Sequence, residues 1–240
     1  MPQVLHRLIV PRTINENIQQ LGWIDGVLFM LARLLNIISR GHIRLVRYYL
    51  VAQPIRPESP DTPPRAASAE STIQFCDRDA PEVQQFPRPA HVIAQRFAKG
   101  HRCLRSTHRS RFSGYIWLAR DYYDEDEVRC RYRLADPASC VWDYDVYVAP
   151  EFRIGRTFAR LWQHASRTLA QEGVQWSFSR ISAFNAESLR AHARLGATPV
   201  SSVTFMQIGP VQLTITSHFP YIHIGFTASA LPELTLLPPR

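Results

Sequence analysis

Apolar residues recur at three- and four-residue spacing through residues 157–172. There Phe158, Leu161, Trp162, Ala165 and Leu169 share one side and Gly173 follows. That is the pattern of an amphipathic helix with a glycine stop. Residues 89–100 repeat it more weakly, with Val92, Ile93 and Phe97 on one face and Gly100 at the end. A shorter helix is expected at 185–195, with Asn185 placed as N-cap and Gly196 just past the end. Between these segments the period falls to two, or the chain becomes continuously apolar. Strands are expected at 71–76, 102–108, 113–123, 128–134, 140–148 and 174–181. In 128–134, Val, Cys, Tyr and Leu alternate with three arginines, so that strand should be half exposed. Strands at 200–208 and 211–217 flank Gly209-Pro210 and read as a hairpin. The order is strand, helix, several strands, helix, strand, helix, hairpin. It predicts an α+β or mixed α/β fold with one central, mostly antiparallel sheet flanked by helices.

The two ends follow other rules. Residues 21–39 are nearly all apolar, interrupted by Asp25, Arg33 and Asn36. A carboxylate and a guanidinium there argue against a spanning helix. Arg40, His42, Arg44 and Arg47 follow, then Tyr48 and Tyr49. Two readings stay open. The helix lies in a membrane interface with its basic flank on anionic headgroups, or it packs on the protein's own core or closes a dimer. Pro54, Pro57, Pro60, Pro63 and Pro64 then mark a linker. The expected organisation is an apolar and basic helical extension at 1–52, a Pro-rich linker at 53–70, a folded domain at 71–226, and a Pro/Leu-rich tail at 227–240 without an assignable element.

The chain has 240 residues, enough for one domain with a real core plus an extension. Its apolar and charged fractions are ordinary for a globular protein. Its charge is not: the formal net charge is +8, and Lys99 is the single lysine. Arginine codons in a GC-rich genome are one explanation. A partner with negative charge is the other: an anionic membrane surface, a nucleic acid, an acidic carrier protein or a phosphate-rich cofactor. Arg102, Arg105, Arg109, Arg111, Arg129, Arg131 and Arg133 invite the nucleic-acid reading, but no helix-turn-helix or RNP-like pattern accompanies them. Cys76, Cys103, Cys130 and Cys140 have no CxxC spacing, so neither a zinc site nor a disulfide framework is expected. Residues 1–20 lack the apolar stretch of a secretory signal. The expected location is cytoplasmic, with a peripheral contact on the inner face of a membrane through residues 21–50 if the first reading of that segment holds.

Two segments carry a family resemblance. In 146–162, VYVAPEFRIGRTFARLW, Val148, Pro150 and Arg153 match a strand ending in Val-x-Pro, followed by an arginine-led turn and a helix. In 185–197, NAESLRAHARLGA, an asparagine is followed by a small residue at +3, a histidine at +7 and Leu-Gly. Asn185, Ser188, His192, Leu195 and Gly196 fill those places, with Ala197 where phenylalanine is usual. Together, in this order, the two segments resemble the GNAT family of N-acetyltransferases. One departure stands out: aligned from Arg153, the family's two glycines fall on Arg156 and Phe158, and Gly155 is one position off.

The resemblance implies an N-acyltransferase that moves an acyl group from a thioester to an amine. The donor would be acetyl-CoA, a longer acyl-CoA or an acyl-carrier protein, with no metal. The acceptor would be a small-molecule or lipid-like amine. The resemblance assigns donor binding to Val146, Val148, Arg153, Gly155, Arg156, Thr157, Phe158, Asn185 and Ser188. A helix N-terminus with free N–H groups suits a pyrophosphate. His192 stands where the family places its proton donor. Asp143 and Asp145, on the strand entering the first motif, are the candidate bases, and their spacing of two predicts that they share a face. Arg180 could bind an acidic group on the acceptor or form an ion pair. The run at 124–127 is expected to be an exposed acidic turn. The alternative is a non-catalytic GNAT-like module that docks on a membrane or a protein.

Overall fold

A computed structural model describes residues 19–56, 70–154, 156–227 and 229–239. In chain order its elements are α1 (Trp23–Ile38), β1 (Ile43–Pro54), β2 (Ser71–Cys76), α2 (Ala90–Ala98), β3 (Arg102–His108), β4 (Arg111–Ala119), β5 (Tyr122–Asp124) and β6 (Arg131–Leu134). Then come β7 (Cys140–Val148), α3 (Thr157–Gln171), β8 (Trp176–Ser182), α4 (Ala186–Arg194), β9 (Thr198–Ile208), β10 (Val211–Thr216), β11 (Ile222–Gly225) and β12 (Glu233–Leu236). Short 3-10 turns at Pro81–Gln85 and Pro150–Phe152 complete the set. The expected mixed fold, strands in a mostly antiparallel arrangement with flanking helices, is what forms.

The chain divides into two compact units. The larger comprises the described residues of Val51–Arg180, Gly196–Val200 and Glu233–Arg240. Its main strands lie in the order β2-β3-β4-β7-β8, antiparallel except for the parallel pair β7–β8. A parallel pair needs a crossover, and α3 supplies it. One face of this sheet is aliphatic: Leu104, Ile116, Leu118 and Val141 pack against Leu161, Ala165 and Leu169 of α3. The other is aromatic. Phe97 of α2 meets Trp117 edge-on, and Tyr123 and Tyr132 stack on Trp142. A small second sheet has the order β12-β6-β5.

The smaller unit comprises the described residues of Met1–Leu50, Ile181–Leu195 and Ser201–Pro232. In it β1, β9, β10 and β11 are neighbours in that order. The expected hairpin turns at Gly209, whose φ is 55°. Helix α1 packs with a polar contact: the buried Asp25 accepts from Arg47 Nε at 2.8 Å and from the Tyr49 hydroxyl at 2.7 Å.

Several expectations need correction. Residues 43–54 are not part of a helical extension or a linker but strand β1, with Leu50, Val51 and Ala52 buried. Its arginines masked a run rich in β-branched and aromatic residues. Helix α1 forms, and of the two readings open for it, packing on the core holds only for one side, where Phe29 meets Phe184 edge-on. Trp23 is 70% exposed and Ile24 66%, while Asp25 and Gly26 are the buried residues. The tail holds a strand after all, β12, paired parallel to β6. The strand expected at 113–123 is broken by a turn at Asp121, whose φ is 69°. The rest of the expected linker, 57–69, lies outside the described residues. All four cysteines are buried and unbridged.

Candidate active site

The first motif sits at the end of β7, and two features make that strand irregular. Against β4 the ladder runs Gly114↔Val148 and Tyr115↔Tyr147, then resumes at Trp117↔Tyr144. Asp145 and Val146 therefore stand together opposite Ile116, a β-bulge, and Asp145 takes a left-handed φ of 46°. Beside the bulge the strands approach so closely that a Cβ on Gly114 would lie 2.5 Å from the Tyr147 carbonyl oxygen. On its other side β7 pairs with β8 only from Cys140↔Trp176 to Trp142↔Phe178. Residues 143–148 continue without a ladder partner on that side among the described residues. Backbone N–H and C=O groups so placed need another hydrogen-bonding partner.

The bulge separates the two candidate bases. Asp143 lies opposite Leu118, on the aliphatic face, and accepts from the Ser177 hydroxyl at 2.7 Å. Burial raises its pKa to about 7, against the Ser177 hydrogen bond. Asp145 turns to the aromatic face. It accepts from Arg88 Nε at 2.9 Å, from a second Arg88 nitrogen, from Arg96 Nη1 and from the Tyr115 hydroxyl at 3.2 Å. Burial works against its ionisation, but the bonds and charge of Arg88 and Arg96 outweigh that and hold its carboxyl below the usual range. The expectation of one shared face fails because a left-handed residue inside a strand breaks the period of two.

Beyond β7 the chain turns through Pro150–Phe152 and enters α3 at Thr157. Arg153 folds back, donating from Nε to the Val148 carbonyl at 3.1 Å. The N-cap residue, Arg156, makes no side-chain cap bond, and the first turn carries no acidic residue. The N-cap side chain therefore leaves the N–H groups at this end uncapped, and Arg153 and Arg156 are close to them in sequence. Gly155 lies outside the described residues. Val146, Phe158 and the fully exposed Ile154 add apolar surface around the turn.

The second motif belongs to the smaller unit. The Asn185 side chain accepts from Ser188 N–H at 3.0 Å, so both residues serve as the cap of α4. His192 sits in the last turn of α4, its Nδ1 buried without a hydrogen-bond partner. Burial lowers its pKa, so the ring is neutral at pH 7.

Sequence reasoning missed one feature here. The run 124–127 is not simply exposed: Glu125 is buried and ion-paired to Arg180, with Glu127 3.5 Å from the same guanidinium. Burial raises the Glu125 pKa, and Arg180 limits the rise. A buried carboxylate in an acidic run has no sequence signature, although the choice of an ion pair for Arg180 was open. The other arginines are also engaged. Arg102 pairs with Glu172, Arg105 with Glu82, Arg109 with Glu70, Arg111 with Glu151, Arg131 with Asp124, and Arg133 with Asp121 and Glu233.

A strand runs through a Pro turn into an amphipathic helix. A second strand, a capped short helix and a hairpin follow, with a mostly antiparallel sheet throughout. The fold is GNAT-like. No family model matches the chain, and no curated protein matches it. Solved structures similar to it include a proposed acetyltransferase of the GNAT family from Novosphingobium aromaticivorans, at 17% identity over 67% of this chain and 63% of that one, with a TM-score of 0.46. A tandem GNAT protein from the clavulanic acid biosynthesis pathway is similar at 16% identity over 69% and 55%, TM-score 0.46. AAC(6')-Iy in complex with a CoA-based bisubstrate analogue is similar at 15% identity over 53% and 90%, TM-score 0.39. The chain spans less than two thirds of the length of the first two.

Proposed function

We propose that this chain transfers an acyl group from a thioester donor to an amine. One observation carries the reading: the bulged, half-unpaired end of β7, followed after the Pro150–Phe152 turn by a helix start whose N-cap side chain makes no cap bond. A pantetheine arm carries amides that can complete an open strand edge, and its phosphates suit the start of a helix. In a bulge the extra residue is left out of the ladder, which leaves backbone groups at Val146 able to polarise a carbonyl. Arg153 and Arg156 would add charge at the phosphates.

The donor is acetyl-CoA or a longer acyl-CoA, or the same arm on an acidic carrier protein. Arg153, Arg156, Ile154 and Phe158 favour the carrier, since they pair positive charge with exposed apolar surface in one turn. His192 is the candidate hydrogen-bond donor to the leaving thiolate through the one N–H of its neutral ring, and the thiolate takes up the proton that the attacking amine releases. Asp145 is committed to its arginines, which leaves Asp143, buried beside Ser177, as the candidate base. The acceptor is a small-molecule or lipid-like amine.

The test is calorimetric titration with acetyl-CoA, followed by thiol release with a panel of amines. Saturable micromolar binding and amine-dependent thiol release support the proposal. Variants His192→Ala and Asp143→Asn that keep binding and lose turnover support their roles. Absence of binding to acetyl-CoA, longer acyl-CoA and acyl-carrier protein alike overturns the proposal and leaves a non-catalytic docking module.

A further inference from the structure

Apolar helices normally turn their apolar stripe inward. Helix α1 has an apolar inner side, where Phe29 meets Phe184 edge-on, and keeps a second apolar stripe outside. Ile24, Val27, Leu31, Leu34 and Ile38 recur at three- and four-residue spacing and are all exposed, with Trp23 beside them at the start. The polar contact of Asp25 with Arg47 and Tyr49 holds the other side of the helix to β1.

The sheet of the same unit also keeps apolar residues outside. Arg47 also donates to the Thr204 hydroxyl at 2.8 Å, so α1, Arg47 and Thr204 lie on one sheet face. Thr204 stands opposite Ile215 and Ile215 opposite Ile222; paired residues point the same way, so the isoleucines share that face. Ile224, opposite Leu213, belongs to it as well. Ile215, Ile222 and Ile224 are exposed, whereas Gln212, Thr214 and Thr216 on the opposite face are buried. Phe219, Tyr221 and Phe226 flank β11, all exposed. One face of the unit therefore presents the apolar side of a helix, the apolar side of a hairpin and a fringe of aromatic residues.

Charge selects what covers it. Among the described residues of this unit only Asp25 and Glu187 are acidic, against Arg33, Arg40, Arg44, Arg47, Arg190 and Arg194. Asp25 is buried in its ion pair. Two copies of a unit with this excess of arginine would bring like charges near each other, whereas an anionic bilayer complements that excess. Aromatic residues at the edge of an apolar face are also suited to the headgroup level. Among the described residues no helix is long and apolar enough to cross a membrane, so the contact is with its surface.

We propose that the smaller unit docks on an anionic lipid surface through this face, with α1 lying in the interface plane. The proposal does not depend on the acyl-transfer reading.

The test uses the full chain in flotation with vesicles of phosphatidylcholine alone and of phosphatidylcholine with phosphatidylglycerol. Flotation with the second, and its weakening by salt, is expected. The double variant Val27→Asp with Leu34→Asp should reduce the partition roughly tenfold or more, because charge then sits in the docking face. Both positions are exposed, so the variant should melt like the parent. If it does not, Ile222→Asp with Ile224→Asp tests the same face from the hairpin. Failure of the parent to float at low salt, or flotation of a folded variant equal to the parent's, overturns the proposal. So does a lipid-independent dimer, seen in sedimentation velocity and abolished by the same variants, since the face would then belong to a second copy.

Discussion

Asp143 and Asp145 differ by two positions and serve opposite electrostatic ends. Asp145 neutralises two guanidiniums, one of which, Arg96, is buried over Trp117 and Tyr144. Asp145→Ala leaves the buried Arg96 with only the more exposed Asp126 as an ion-pair partner and should cost up to about 3–5 kcal/mol in urea unfolding. Its folded pKa is depressed, so its contribution is present above the unfolded value and lost as pH falls through the still lower folded value. Asp143 has the reverse sign. Its folded pKa of about 7 lies above the ordinary 3.8, so between these values the folded state binds the extra proton. Stability from this group falls as pH rises through that window and is flat above it. Asp143→Asn should match the parent near pH 4 and exceed it above pH 7, by up to about 4 kcal/mol. Parallel melts at the two pH values check it; equal differences at both would place the raised pKa in doubt. The sequence named both residues, but nothing in it marked a bulge between them.

At the scale of elements, the chain was legible where its period was clean. Residues 71–76, 102–108 and 140–148 form β2, β3 and β7 with the expected bounds, because alternating or β-branched runs there meet no competing signal. Helix α4 starts where Asn185 caps it. Strand β1 was hidden by its arginines, since a guanidinium on a long stem can sit on a strand whose neighbours are buried. The candidate site shows the same division. The motif placed Val148, Arg153 and Thr157 at a strand end and a helix start, but the early parting of β7 from β8 depends on partners distant in sequence. Gly114 belongs to that second group. Nothing around it in sequence calls for glycine, yet a methyl there would meet the Tyr147 carbonyl at 2.5 Å and Leu161 Cδ1 at 3.2 Å. Gly114→Ala should therefore push β4 from β7 at the bulge and cost about 1–3 kcal/mol. It should also weaken donor binding if the bulge polarises the thioester. Thermal melting together with acetyl-CoA titration reads both effects, and an unchanged melt would show that the strands can yield.

For the whole molecule, the path of the chain matters more than any element. After supplying α4 and the β9–β11 hairpin to the smaller unit, it returns to the larger one for its last strand. There β12 lies parallel to β6, with Leu234 and Leu236 buried, Ala135 N–H bonded to the Leu236 carbonyl at 2.9 Å, and Arg133 paired with Glu233. The small sheet therefore cannot close until β12 is available, a non-local contact of the kind that forms late. Alternation in ELTL was the only sequence signal, and four residues between Pro232 and Pro238 are too few to read as a strand. Ending the chain at Pro232 removes two buried leucines, about 3–6 kcal/mol of apolar burial as an upper bound. It also uncovers β6, whose Tyr132 stacks on Trp142 of β7. Hydrogen exchange should then show lost protection at β5 and β6, spreading to the start of β7. The β10–β11 amides, in the other unit, should keep theirs. Uniform loss in both units would mean that they unfold together and that β12 stabilises the chain as a whole. Unchanged β6 amides would mean that β5 and the aromatic stack suffice to hold the strand without β12.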